Sequence, residues 1–247
     1  MTMDEELKKL QDWLESASLY ELPSYKELPT VPLYMEQVTG YINKTLAPLS
    51  PHDTDILTSY MVNNYVKAKI IREPERKKYN EEHLGYLLAI CSLKNSLTMS
   101  ELSHLIALDE DVSADKSVLY GFFRLMSTSI AKSTIALAKQ RVDRFAKEYE
   151  KNKEANPEQA EQHLIDSLGL IALRMSIQSS INRIIAEVFL NAIEKVESTK
   201  AYEISKKKHH KEEKHSAKAS KHEAERISEA KEVLLREKRK QNKEEKK

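Results

Sequence analysis

Four glycines in 247 residues, at positions 40, 85, 121 and 169, constrain this chain more than any other feature. They stand too far apart to build a glycine-rich phosphate loop, in which neighbouring glycines let backbone amides approach the phosphate. The same scarcity disfavours sheets with many tight turns, because hairpin turns call for residues that adopt positive φ. The chain is instead rich in Ala, Leu, Glu, Lys and Ile, which favour helix. The expected fold class is mainly α.

Cys91 is the single cysteine, so no disulfide forms within the chain. It lies in the apolar helical run LGYLLAICSL and reads as a small buried hydrophobe. Its solitude fits a reducing cytosol. The sequence holds no HExxH, no nucleophile elbow and no phosphate loop. His83 and His104 sit beside apolar helical runs and read as structural. The chain is therefore expected not to be an enzyme, with no catalytic residue, no cofactor and no metal site. The N-terminus, MTMDEELKKLQDWL, is acidic and amphipathic, unlike a signal peptide. The longest apolar region, Leu164 to Ile193, contains Asp166, Arg174, Arg183 and Glu187. Such charges are costly at a bilayer centre, so the region is expected to be a packed helix of a cytoplasmic protein with no membrane partner.

Composition divides the chain. Six of the seven prolines and eight of the eleven tyrosines precede residue 87, a part of short helices and structured connections. Residues 1–33 read as an N-terminal helix and linker, and 34–110 as the segment that carries function. Residues 111–200 read as a long helical hairpin that turns at Asn156-Pro157. Its apolar positions recur at three and four residues, as a buried helix face requires: Val118, Phe122, Leu125, Met126, Ile130, Ile135, Leu137, Val142 and Phe145, then Leu164 through Ile193. The second helix is apolar over too wide an arc for one neighbour. The excess is expected to meet the N-terminal part or a second copy, giving a homodimer through the helical region. Residues 201–247 form a charged helical or disordered tail. They hold 13 Lys and 3 Arg against 10 Glu, a net +6, which leaves −5 on the first 200 residues against +1 overall. The tail reads as a solvated extension, with a nucleic-acid-binding arm as the alternative. Its histidines, His209, His210, His215 and His222, match no fixed metal geometry.

The stretch TSYMVNNYVKAKI carries the function. Thr58 suits a helix N-cap. At 100° per residue, Leu57, Met61, Val62, Tyr65 and Ala68 fall on one side, and Ser59, Tyr60, Asn63 and Lys67 on the other. Asn bonds an adenine edge bidentately, Lys reaches guanine or phosphate, and Ser and Tyr hold phosphate. Then comes IIREPERKKY. Six basic residues, Lys67, Lys69, Arg72, Arg76, Lys77 and Lys78, face only Glu73 and Glu75, and Pro74 blocks a continuing helix. A short basic excursion between helices reads as a wing, a small β hairpin near residues 70–79. Asn80 caps the next helix, with Glu81 and Glu82 at its start. Thr98-Met-Ser-Glu101 is a capping box that opens a further helix.

The order MVNNYVKAKII, a basic turn, then KKYNEEHLGYLLAICSLKNSLTMSELSHLI resembles the winged helix-turn-helix of MerR-like regulators. Tyr79 matches that family's wing-end Tyr, and Glu82-His83-Leu84 its helix start. Leu97 to Leu102 match the final turn and helix. The upstream string ELPSYKELPTVPLYMEQVTGYI also looks like an uncharacterised bacterial family, a domain of unknown function with this DNA-binding core. MerR proper has an Arg and a second aromatic where this chain has Asn63 and Asn64. The resemblance implies a winged helix-turn-helix over 34–110. It also implies sequence-specific binding of double-stranded DNA as a transcriptional regulator. The polar helix face and the basic excursion give Ser59, Tyr60, Asn63, Asn64, Lys67, Arg72, Arg76, Lys77 and Lys78 as the DNA-contacting set. The alternative is a helical interaction or scaffold protein that uses the same core for protein contact.

Overall fold

The computed structural model describes residues 2–50, 54–112 and 116–244, and of 107–112 and 201–244 the backbone alone. The protein is mainly helical, in the order α1 (Met3–Ser18), α2 (Met35–Leu46), α3 (Ser59–Lys67), α4 (Glu81–Leu93), α5 (Met99–Val112), α6 (Lys116–Asn152) and α7 (Pro157–Glu244). Two compact units divide it, Met1–Arg183 and Ile184–Lys247.

The first unit has two apolar cores. One gathers Val38, Ile42 and Leu46 of α2, Val62 and Tyr65 of α3, and most of α4. Leu84, Leu87, Leu88 and Ile90 of α4 are all fully buried. Each such side chain contributes about 1.5–3 kcal/mol, against at most about 1 kcal/mol for an exposed ion pair, so α4 is the axis on which the short helices assemble. Cys91 is buried among them, and burial pushes its thiol up to about 11. The capping residues behave as the sequence implies. Thr58 accepts from Met61 N–H at 3.3 Å, and Asn80 from His83 N–H at 3.2 Å. The Thr98 and Glu101 side chains each accept from the other's backbone N–H.

The second core joins α1 to α6. Leu7, Leu14 and Ala17 meet Ile135, Val142, Ala146 and Tyr149, with Ala160 and Leu164 from the start of α7. Here the structure corrects the expected helix faces. Val118, Phe122, Leu125, Met126, Ile130 and Leu137 are exposed, because the side of α6 that meets α1 and the first core carries Tyr120, Thr128, Ile135, Val142, Ala146 and Tyr149. Large apolar residues of α6 outnumber the positions its neighbours cover. Residues 157–183 repeat the pattern. Ala160, Leu164 and Ser167 are buried, while Leu170, Leu173, Ile177 and Ile181 are exposed. In the second unit Ile184, Ile185, Val188, Phe189 and Val196 are exposed. The apolar region expected to be packed is therefore mostly bare. By length and composition Pro157–Lys200 is long and apolar enough to cross a membrane, and its most apolar window is 11 % buried. The side chains of the basic tail, from Ala201 on, lie outside those described.

The expected β hairpin at 70–79 is absent. No strand occurs among the described residues, and the segment makes only two isolated antiparallel pairs, Glu75 with Lys78 and Leu33 with Tyr79. The cause is local. Ile70 and Ile71 are drawn into the core, Pro74 has no N–H to donate, and Tyr79 spends its backbone on Leu33.

Candidate nucleic-acid interface

Helix α3 exists because Thr58 caps it and because one face fits the core. Val62 and Tyr65 are buried and Met61 and Val66 partly so. The opposite face therefore points outward. Ser59, Asn63 and Lys67 are exposed, and Tyr60 is 74 % exposed. Asn64 is half-buried at the edge of that face. Ala68, read as a core-side residue, is exposed.

The helix ends in a Schellman turn. Lys69 has φ 57°, its N–H donates to Val66 O at 2.9 Å, and Ile70 N–H donates to Tyr65 O at 3.0 Å. The buried pair Ile70 and Tyr65 supplies the apolar contact that accompanies this turn. Glycine is the usual occupant of the left-handed position, and a side chain there costs about 1–2 kcal/mol. The basic segment then folds back at Glu75–Lys78, where Lys78 N–H donates to Glu75 O at 2.9 Å. Both central residues are left-handed, Arg76 at φ 49° and Lys77 at φ 63°, as in a type I′ turn. Lys69, Arg76 and Lys77 are the described non-glycine residues with positive φ. All three are basic and exposed on one short stretch. Arg72 is exposed on the same stretch, and Lys78 is half-buried with its ammonium 4.9 Å from the centre of the Tyr34 ring.

Sequence reasoning missed the residues that hold this arrangement. Asn43 of α2 clamps the backbone just before α3. Its Oδ1 accepts from Leu57 N–H at 2.8 Å, and its Nδ2 donates to Leu57 O at 3.0 Å and to Asp55 Oδ1 at 3.1 Å. Lys94, past the end of α4, donates to Ile56 O. The long connection from Ala47 to Ile56 is thus pinned at its exit. Asn is a poor helix former, so Asn43 inside an amphipathic helix was the one available signal.

The buried His83 imidazole sits in the first turn of α4. Burial lowers its pKa below the ordinary 6.5. His83 stacks edge-on against Tyr79 at 5.4 Å between ring centres, so the basic turn is tied to α4 by a ring pair as well as by the chain.

Residues 23–126 match one described family. It is a domain of unknown function, DUF1836. The matched span holds α2 to α5 and the start of α6, and so the whole candidate interface. No curated protein and no solved structure matches the chain.

Proposed function

We propose that this chain is a sequence-specific binder of double-stranded DNA, a cytoplasmic transcriptional regulator of MerR-like type. In this reading α2 and α3 form the helix-turn-helix, and α3 enters the major groove. Asn63 and Lys67 read base edges while Ser59, Tyr60 and Asn64 hold the helix against the backbone. Arg72, Arg76, Lys77 and Lys78 form a strandless wing that meets phosphate. One observation carries the reading: the exposed polar face of α3 is continued by a strained turn whose left-handed residues are all basic.

A second copy of the chain covers the exposed apolar side of residues 157–183. Leu170, Leu173, Ile177 and Ile181 follow at spacings of three, four and four residues, the repeat of a helix that packs on another helix. Arg174, Ser176, Gln178, Ser179 and Ser180 lie between them and Asn182 follows, a polar flank that suits water better than lipid. Pairing two copies also presents two recognition helices to two half-sites. Sedimentation of the full chain tests this, with Ile177→Lys expected to give a monomer.

The decisive experiment is filter binding to random duplex across a salt titration. A binder that neutralises phosphates loses affinity with a log–log slope of about −0.9 per phosphate. The bare apolar faces favour one other reading, a helical interaction or scaffold protein. Absence of affinity at any salt selects it.

A further inference from the structure

An apolar cleft of about 280 Å³ opens among α4, α5 and α6. Five aromatic rings line it: Tyr25, Tyr86, Tyr120, Phe122 and Phe123. The wall is held in place by contacts that have nothing to do with a ligand. A Cβ added at Gly85 would lie 3.1 Å from the Tyr120 ring, so that ring sits against bare backbone of α4. Tyr120 Oη donates to Pro23 O at 3.0 Å, and its ring meets Tyr25 edge-on at 5.9 Å and Phe123 at 6.4 Å. A wall fixed in advance leaves little ordering to be done on binding.

Size and chemistry narrow the occupant. An apolar cavity of about 150 Å³ takes up a benzene. This cleft is nearly twice that, which is room for two fused rings. Among the described residues its charged side chains are one carboxylate and one ammonium, Glu82 and Lys116, and the Lys116 Nζ lies 6.0 Å from the centre of the Tyr86 ring. The described lining is otherwise almost wholly apolar, which suits an uncharged guest, and Glu82 offers it an acceptor. At the mouth Phe122 is 62 % and Met126 48 % exposed, apolar surface that a guest would remove from water.

We infer that the cleft binds a neutral bicyclic aromatic compound bearing one hydrogen-bonding group, of the naphthol or indole class. The rings stack within the aromatic wall, and the polar group faces Glu82. The site does not rest on the nucleic-acid reading. α4 runs from the cleft to Asn80, the residue after the paired Tyr79.

The test is calorimetric titration of the full-length chain with 2-naphthol, with thermal melts of each variant. Saturable binding of one naphthol per chain is expected. Ala89→Phe fills the cleft and should weaken binding at least tenfold with the melt unchanged or raised. Phe122→Ser, at an exposed position that tolerates substitution, should weaken it several-fold even if Ala89→Phe fails to fold. Leu137→Ser, on exposed α6 surface outside the cleft, should bind as the parent does. The proposal is overturned if the parent shows no saturable binding, as when a second copy fills the cleft. It is equally overturned if folded Ala89→Phe and Phe122→Ser bind like the parent, or if Leu137→Ser loses binding to the same degree.

Discussion

Leu33 and Tyr79 exchange two backbone hydrogen bonds, Leu33 N–H to Tyr79 O at 2.8 Å and Tyr79 N–H to Leu33 O at 2.9 Å. This single pair closes the chain around α2 and α3 and fixes the end of the basic turn beside the start of α2. Closing so long a loop costs entropy. Burial of Tyr79, 3 % exposed and stacked on His83, offsets it. The basic turn therefore needs no ladder of its own to keep its place next to α3.

Asn43 should prove a structural clamp. Asn43→Ala leaves the part-buried Leu57 N–H and C=O without their amide partner, at about 1–3 kcal/mol for each group left unpaired. Urea unfolding should show that loss with an unchanged slope. The exposed neighbour variant Lys44→Ala should stay within about 0.5 kcal/mol of the parent. A similarly small loss for Asn43→Ala would show that the Ala47–Ile56 connection is held by other contacts.

Lys69 separates folding from function. Its φ of 57° suits glycine, so Lys69→Gly should stabilise the fold by up to about 1 kcal/mol. If Lys69 touches phosphate, the same variant should bind duplex DNA more weakly and lower the salt slope by about 0.9. A more stable protein with unchanged DNA affinity would remove Lys69 from the interface.

The two halves of the interface should fail in different ways. Asn63→Ala should cost about 1–3 kcal/mol on a selected site and much less on random duplex. Arg76→Asn with Lys77→Gly installs the residues a type I′ turn prefers and removes two charges. It should keep or raise the melting temperature, weaken all sequences alike and flatten the salt slope by up to about two units. Parent-like affinity and specificity in the combined triple variant would refute the assignment.

His83 should make stability depend on pH. Its pKa in the folded protein lies below the ordinary 6.5 because burial disfavours the imidazolium. As pH falls through 6.5 the unfolded chain takes up a proton that the folded chain refuses, so stability declines from there down to the folded pKa and is unaffected above. Denaturation midpoints from pH 8 to 5 should show this loss, and His83→Gln should flatten it. An unchanged pH profile in His83→Gln would place the sensitivity elsewhere.

Local chemistry was legible in the residues. The caps at Thr58, Asn80 and Thr98 depend on a side chain reaching a backbone N–H three residues on, and nothing distant alters that. The apolar face of α2 and the outward face of α3 follow from a fixed 100° step once one side is known to be buried. Scarce glycine announced a helical protein for the same local reason.

What the chain could not announce is which of several apolar faces finds a partner. Val118, Phe122 and Ile130 look as core-like in sequence as Ile135 and Val142, yet α1 covers only the latter side. Periodicity marks a stripe as buriable, and only packing decides what buries it. The missing strands have a similar origin. Residues 70–79 satisfy the sequence rules for a hairpin turn, but Ile70, Ile71 and Tyr79 are claimed by the core and by Leu33 before a ladder can form. The Asn43 clamp and the aromatic cleft both depend on residues brought together from separate elements. Sequence alone determined the helices and their caps, because those energies are local. Tertiary structure alone decided the turn, the bare faces and the cleft, because competition for burial is settled between segments far apart in the chain.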